Sequence, residues 1–359
     1  MRKKLAIVVP SLNGGGAERV IINLIRNLDR SKFDIRLILI KKQGVYVNLI
    51  PNDVSVVDLN SDRVRYSIFK LVKELKKIKP DTILSTLGHL NLVLLAIRPF
   101  IRKDTKILIR EANTPSKSIS ELSNNKRKFF LKLYKYLYPK ADLIIAQCED
   151  MKNDIIECLK VDEKKIKYIY NPLDINKILI NKERENPYDR NKINLISVGR
   201  LSYQKGFDIL LDAFKIVNEK FLNTHLTILG DGELKDDLQN QAKRLNIDDK
   251  VSFVGFKENP YPYYYYSDMY VLSSRWEGFP NSLLEALACE TKVVAVNCKS
   301  GPKEILCDNQ YGILVDEENA KSLADGIIKY IPQKNKTGNR ACFFDINKII
   351  KEYEEVLIL

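Results

Sequence analysis

Glu277 and Glu285 stand eight residues apart in EGFPNSLLE, across a turn that opens an apolar helix. Glu277 follows the hydrophobic run Met269 to Leu272, and Glu285 falls inside the helix predicted to begin near Asn281. The turn Phe279-Pro280-Asn281-Ser282 brings backbone N–H groups, a helix N-terminus and two carboxylates to one small volume. A helix N-terminus attracts phosphate oxygens, whereas carboxylates accept hydrogen bonds from sugar hydroxyls. Both demands meet in a nucleotide-sugar site; the plain alternative is a capped helix with two solvated glutamates. A second group lies upstream. Arg200 and Lys205 sit five apart in the loop between the apolar strand Leu195 to Gly199 and an amphipathic helix from Phe207 to Val217. Arg200 can grip a diphosphate with a bidentate fork and Lys205 as a point charge. The alternative there is a solvated loop with two ordinary surface charges.

Parallel strands and helices must position these groups. Apolar runs alternate with helical patterns: strands at Leu5 to Val9, Asp34 to Ile40, Thr82 to Ser85, Lys106 to Ile109 and Leu143 to Ala146, with helices at Ala17 to Leu28, near Tyr66 to Ile78, and at Asp150 to Leu159. Continuous rather than alternating apolar runs mark strands covered on both faces, hence doubly wound parallel sheets. Residues 176–191 turn polar and read as a linker. A second series restarts at Ile193, with strands at Leu195 to Gly199, Leu226 to Leu229, Val251 to Phe253, Met269 to Leu272, Val293 to Val296 and Gly312 to Val315. The expected organisation is a first α/β domain over 1–175, the linker 176–191, a second α/β domain over 192–345, and a final helix in 346–359 that packs back on the first domain. Ligands of such sheets bind beyond the carboxyl ends of the strands. The Gly14-Gly15-Gly16 turn after the first strand therefore offers a second close approach of backbone N–H groups to an anion, or is simply a tight turn.

The chain has 359 residues, 45% hydrophobic and 29% charged, which excludes disorder as the default. Its six cysteines contain no C-x-x-C pair and read as reduced thiols of a cytoplasmic protein. Two histidines far apart and no Asp-x-Asp pair argue against a metal site. The basic start Met1 to Lys4 precedes an apolar run of five residues, too short for a signal peptide. No uninterrupted apolar window of about 18 residues spans a bilayer; Leu90 to Ile101 is broken by Arg98 and Pro99. The net charge of +13 is uneven: residues 1–172 hold 34 Lys+Arg against 18 Asp+Glu, and residues 173–359 hold 25 against 28. One domain thus faces a polyanion, either nucleic acid or an anionic membrane. Asn124 to Lys140 interleaves six cations with aromatic and leucine side chains, and Asp62 to Lys79 sets lysines opposite Ile68, Leu71, Leu75 and Ile78. Basic residues among aromatics suit an interfacial helix; the alternative is an ordinary helix with a solvated basic face. Nucleic acid is disfavoured because the second domain is net acidic.

GGGAER (Gly14 to Arg19), REANTPS (Arg110 to Ser116), IYNPLD (Ile169 to Asp174), SVGRLSYQKGFDILLDAF (Ser197 to Phe214), ILGDGE (Ile228 to Glu233), EGFPNSLLEALAC (Glu277 to Cys289) and SGPKEI (Ser300 to Ile305) together resemble the retaining glycosyltransferases of family 4. The resemblance spans nearly the whole chain, in the family's order and approximate spacing. It implies the GT-B fold, two Rossmann-like domains facing across a cleft. It implies transfer of a hexose or N-acetylhexosamine from a nucleoside diphosphate sugar, UDP foremost, with front-face departure and attack and no metal or other cofactor. Within the family, the chain is most similar to bacterial enzymes that add N-acetylgalactosamine or like sugars to undecaprenyl-diphosphate oligosaccharides in surface polysaccharide or glycoprotein glycan assembly. The acceptor so implied is a polyprenyl-diphosphate-linked glycan, met at the inner face of the plasma membrane by a peripheral cytoplasmic enzyme.

Carried over residue by residue, the resemblance assigns Arg200 and Lys205 to the diphosphate, Glu285 to the ribose hydroxyls and Glu277 to those of the transferred sugar. Backbone N–H groups of Asn281, Ser282 and Leu283 would hold sugar and phosphate oxygens, Gly15 and Gly16 would face the donor phosphates, and Phe256 would border the nucleobase. The acceptor side departs from the better-known members, many of which place a histidine shortly after the fourth strand. Ser85 or Thr86 aligns there, and His89, three or four residues on, is either a shifted functional group or a polar loop residue. Glu111 is the other candidate for the acceptor hydroxyl; its alternative is an ion pair with Arg110 or another basic neighbour. Cys289-Glu290 replaces the family's common Cys-Gly, a change at a helix end. The rival readings are a sugar-nucleotide epimerase or glycogen-synthase-like enzyme on the same fold, and a basic nucleic-acid-binding protein.

Overall fold

The computed structural model describes residues 2–334 and 337–358. The chain divides into two compact units, one of residues 1–172 with 346–359 and one of residues 173–345. The first holds a seven-stranded sheet of β1 (Lys3–Val9), β2 (Phe33–Leu39), β3 (Ser55–Asp58), β4 (Thr82–Thr86), β5 (Lys106–Arg110), β6 (Leu143–Ala146) and β7 (Ile166–Tyr168). Their order is β3-β2-β1-β4-β5-β6-β7, and every pairing is parallel. The second holds β8 (Ile193–Val198), β9 (Thr224–Leu229), β10 (Val251–Gly255), β11 (Met269–Leu272), β12 (Lys292–Val296) and β13 (Ile313–Val315). These pair in parallel in the order β10-β9-β8-β11-β12-β13. Both units are Rossmann-like, and the doubly wound α/β class expected for each is what the chain adopts.

The apolar runs explain the arrangement. Leu5 to Val9 on β1 are wholly buried because helices cover both faces of the sheet. The strand order reverses between β1 and β4 in the first unit and between β8 and β11 in the second. At such a reversal the following loops run to opposite faces and open a crevice at the strands' carboxyl ends. In the second unit the loops after β8 and β11 carry Arg200, Lys205 and Glu277.

Two details depart from the pattern read in the sequence. The stretch 176–191 is not a plain connector: helix Ile175–Lys182 occupies its start, capped by Asp174, which accepts a hydrogen bond from the Lys177 N–H at 3.0 Å. Its polar composition reflects one exposed side, while Ile178 is buried. Strands β3 and β7, each at a sheet edge, include Ser55, Asp58 and Lys167 and so do not register as apolar runs. The last helix, Ile346–Ile358, belongs to the first unit, where Ile349, Tyr353 and Leu357 share a core with β1 and β2. Its Glu354 carboxylate accepts from the Asp29 N–H (2.8 Å) and pairs with Lys32 (2.6 Å).

Candidate functional site

The loop after β8 starts at Gly199 and makes a short 3-10 turn, Tyr203–Lys205, before helix Phe207–Lys220. Gly206 links them at φ +62, and a Cβ there would lie 2.2 Å from the Ser273 carbonyl oxygen. Only glycine lets this turn lie flat on the loop after β11. The contact is stitched by hydrogen bonds in both directions. Ser273 Oγ donates to the Lys205 carbonyl (2.9 Å), Arg275 N–H to the Gln204 carbonyl (2.8 Å), and Gln204 Nε2 to the Trp276 carbonyl (2.9 Å).

Across this seam Lys205 Nζ lies 2.5 Å from Glu277 Oε1, which also accepts from Ser274 Oγ at 2.6 Å. Glu277 is buried, whereas Lys205 keeps about a fifth of its side chain in solvent. Arg200 is exposed at the rim and makes no ion pair among the described residues. The structure therefore pairs a largely sheltered ammonium with a buried carboxylate and leaves the Arg200 guanidinium exposed five residues earlier in the same loop.

Glu285 sits in the second turn of helix Asn281–Ala288 and is itself buried. Tyr264 Oη approaches its Oε2 at 3.4 Å, and Tyr270 Oη donates to Ser282 Oγ at 2.8 Å. The Tyr264 and Tyr270 rings pack 5.6 Å apart. Burial, followed by Glu277 and Glu285 nearby, pushes the Tyr270 hydroxyl far above the ordinary range, beyond the opposing effect of Ser282. Asn281, Ser282 and Leu283 form the first turn of that helix. Phe256, half-exposed, follows β10 at the sheet edge, one strand beyond β9.

In the first unit Gly15 caps helix Gly16–Asn27 at φ −74, and Gly14 supplies the left-handed turn at φ +105. A Cβ at Gly15 would meet the Glu18 carboxylate. His89 is exposed in the first turn of helix Gly88–Ala96. Glu111 lies just past β5 and is buried, accepting from Tyr138 Oη and from Asn91 Nδ2 (3.1 Å); Asn91 Oδ1 in turn accepts from Ser85 Oγ (2.6 Å). Burial raises its carboxyl to about 7 against the lowering pull of Tyr138, Asn91 and Arg110. The Arg110 guanidinium turns the other way and donates to Tyr353 Oη (3.0 Å), Asn171 Oδ1 (2.5 Å) and Thr86 Oγ1 (3.3 Å). Hydrogen bonds to neutral groups take the place of a direct Arg110–Glu111 pair, because successive side chains on a strand face opposite ways.

Helix Asn124–Leu137 buries only Leu137, with Phe129 and Tyr136 each more than 60% exposed. Helix Ile68–Ile78 buries Leu71 and Leu75 and leaves Phe69 90% exposed. No helix among the described residues is long and apolar enough to cross a membrane. Among them, no group of three or more His, Cys, Asp or Glu side chains could hold a metal ion.

The sequence reading missed the residues that brace these groups: Gln204, Asp208, Ser273, Ser274 and Arg275 in the second unit, and Asn91 and Tyr138 in the first. Arg275 could have been flagged, since it stands two residues before Glu277.

Residues 14–177 match the model described as Glycosyltransferase Family 4, and residues 180–341 that described as Glycosyl transferases group 1. An uncharacterized glycosyltransferase of Methanocaldococcus jannaschii is 34% identical over 331 residues, covering 80% of this chain and 81% of that protein. From Campylobacter jejuni, the N-acetylgalactosamine-N,N'-diacetylbacillosaminyl-diphospho-undecaprenol 4-alpha-N-acetylgalactosaminyltransferase is 32% identical, over 99% of this chain and all of that one. Among solved structures, Anabaena HepE in complex with UDP-glucose superposes with a TM-score of 0.82 at 20% identity, over 99% of each chain. Sucrose-phosphate synthase from Thermosynechococcus elongatus gives 0.84 at 16% identity, over 99% of this chain and 98% of that one. These structures share the GT-B fold with this chain.

Proposed function

We propose, on the premise that this chain is a glycosyltransferase belonging to family 4, that it moves a hexose or N-acetylhexosamine with retention from a UDP-sugar to a polyprenyl-diphosphate-linked glycan. The observation that carries the donor side is the seam between the loops after β8 and β11, where Lys205 meets Glu277 beside the exposed Arg200. As the glycosidic bond breaks, negative charge grows on the departing diphosphate. Preorganised cations act where that charge develops, so Arg200 and Lys205 stabilise the leaving group. Glu277 holds hydroxyls of the transferred sugar and, through its contact with Lys205, orients the ammonium. Glu285, fixed by Tyr264, takes the ribose hydroxyls. The first-turn N–H groups of Asn281 and Ser282 face donor oxygens, whereas the Leu283 N–H expected beside them donates to the Pro280 carbonyl (3.1 Å) because the turn closes on itself, and Phe256 borders the base. Gly15 and Gly16 offer backbone N–H groups to phosphate oxygens, and Glu111 or His89 meets the acceptor hydroxyl. With two cations at the diphosphate, the reaction needs no divalent metal.

The lipid-linked acceptor is supported by the relatives whose names specify undecaprenol-linked substrates, and by the first unit's surface. A helix that buries one leucine while exposing aromatics among five cations fits an anionic bilayer interface. We place the enzyme on the cytoplasmic face of the plasma membrane in surface-glycan assembly. The test incubates the purified chain with a panel of labelled nucleotide sugars and extracted lipid-linked oligosaccharides, with and without EDTA. Label should enter the lipid fraction from a UDP-sugar in either condition, with the donor's anomeric configuration kept. Label appearing only as an epimer, or no transfer without added metal, overturns the reading. For the membrane, changing Lys126, Arg127, Lys128 and Lys132 to Glu should abolish flotation with anionic vesicles, each cation contributing about 1 kcal/mol; unchanged flotation moves the contact to helix Ile68–Ile78.

A further inference from the structure

The seam between the two donor loops contains a second ion pair, Arg275 with Asp208. Arg275 is buried, and its fork grips Asp208 with Nη1 at 2.9 Å from Oδ1 and Nη2 at 2.5 Å from Oδ2. The same Nη1 donates to the Tyr203 carbonyl at 2.8 Å, and the guanidinium lies 4.0 Å from the centre of the Tyr203 ring. Nε finds no hydrogen-bond partner, its nearest carboxylate being Glu318 at 3.7 Å. Asp208 stands in the first turn of helix Phe207–Lys220, and Tyr203 opens the 3-10 turn that ends at Lys205. One side chain thus ties together the start of that turn, the helix after it and the backbone two residues before Glu277.

We propose that Arg275 is a positioning residue of the transfer reaction, holding the Tyr203–Lys205 turn so that the Lys205 ammonium is in place before the donor arrives. This rests on the reading of Lys205 as a diphosphate cation. The physical case is that a buried guanidinium is costly to desolvate, and this one leaves Nε without a hydrogen bond. Burying it there secures geometry more than stability. A lysine on a flexible stem loses its effect when its base shifts, since displacement of about 1 Å in a reacting array costs on the order of 100-fold in rate. The chain's single tryptophan, Trp276, supplies a probe, because its ring packs 6.0 Å from Tyr203 and its carbonyl receives Gln204.

The test compares Arg275→Met, Arg275→Lys, Asp208→Asn, Lys205→Met and the Arg275→Met/Lys205→Met double variant. Asp208 is partly solvent-exposed, so Asp208→Asn keeps the question open to measurement should Arg275→Met not fold. Turnover number and donor KM are measured with the donor sugar that the wild type uses, and Trp276 fluorescence is titrated with UDP. Arg275→Met and Asp208→Asn should lower kcat by about 10- to 100-fold, with KM changed far less, and should alter Trp276 emission before UDP is added. Arg275→Lys should recover part of the rate, and the double variant should be no slower than Lys205→Met alone. Additive losses in the double variant, or normal kcat in folded Arg275→Met or Asp208→Asn while Lys205→Met is impaired, overturn the proposal alone. Normal kcat in Lys205→Met overturns the diphosphate reading, and the proposal with it.

Discussion

The two sheets share a topology, yet the ends of their strands are furnished in opposite ways. Beyond β8 and β11, charges are paired across a seam, each pair with one buried and one partly accessible member: Lys205 with buried Glu277, Asp208 with buried Arg275, while Arg200 is exposed. Beyond β5, Arg110 and Glu111 are withdrawn from solvent and held by neutral partners. Glu111 rests on Tyr138 and Asn91, and Arg110 on Tyr353, Asn171 and Thr86. The first furnishing suits a ligand that brings its own negative charge, because half-sheltered cations keep their field without full desolvation. The second keeps a carboxyl near neutrality and suits an uncharged hydroxyl. Topology places both crevices, and the side chains on the loops decide what each takes.

The sharpest way to break this contrast is at the cations. Arg200→Ala or Lys205→Ala should each lower turnover by about two orders of magnitude, the loss typical of removing one group that stabilises developing charge. Arg200 is exposed in its loop, so its variant should melt near the wild type, whereas Lys205→Ala leaves the buried Glu277 without its cation and should melt lower. A folded variant with near-normal turnover would remove the charged crevice from the mechanism.

The two glutamates sharpen the contrast next. Glu285→Gln should weaken binding of UDP alone, since the ribose is part of that ligand. Glu277→Gln should leave UDP affinity close to normal while transfer falls, since its partners are the sugar and Lys205. Calorimetry with UDP checks the division, which fails if both variants lose affinity equally.

Glu111 supplies the test of the neutral crevice. Its carboxyl is raised from 4.5 to about 7 by burial, against the hydrogen bonds of Tyr138 and Asn91 and the charge of Arg110. The folded state therefore keeps a proton that the unfolded chain releases near 4.5. The corresponding stability is fully present below that value and is lost as pH rises through about 7. The contribution amounts to about 3 kcal/mol by the usual conversion of pKa shift to free energy. Denaturant unfolding at pH 5 and pH 8 should show this slope in the wild type and a flatter one in Glu111→Gln. Identical slopes would mean that Glu111 is ionised throughout.

The smallest effect is expected at the end of helix Asn281–Ala288. Glu290 follows its last turn at φ +59, a left-handed conformation in which a side chain costs about 1 kcal/mol or more. Its contact with Lys182, 3.8 Å long and exposed on the Glu290 side, offsets little of that. Glu290→Gly should raise stability by about 1 kcal/mol with turnover unchanged. A fall in stability would show that the side chain contributes more than the backbone strain costs.

Much of this architecture is legible in the chain as written. Every strand of the second sheet appears as an apolar run, because a strand covered on both faces has no solvent side to interrupt it. The loops bearing Arg200, Lys205 and Glu277 follow from those strands, since the chain must turn where the sheet ends. Local signals fail where they are interrupted or shared: β3 and β7 lie at edges, and helix Ile175–Lys182 shows its polar side in a stretch that otherwise reads as linker. What the sequence could not decide is which charge meets which. Lys205 and Glu277 are 72 residues apart, and Arg275 and Asp208 are 67 apart. Each pair exists only because β8 and β11 are neighbours and Gly206 lets their loops touch. Likewise, adjacent Arg110 and Glu111 look like natural partners in the chain, but strand geometry sends them to different surroundings. Residue types and their order determined the sheets and the chemistry within reach, while the partners and the protonation of Glu111 were decided by tertiary packing, because burial and distance belong to the fold and not to the chain.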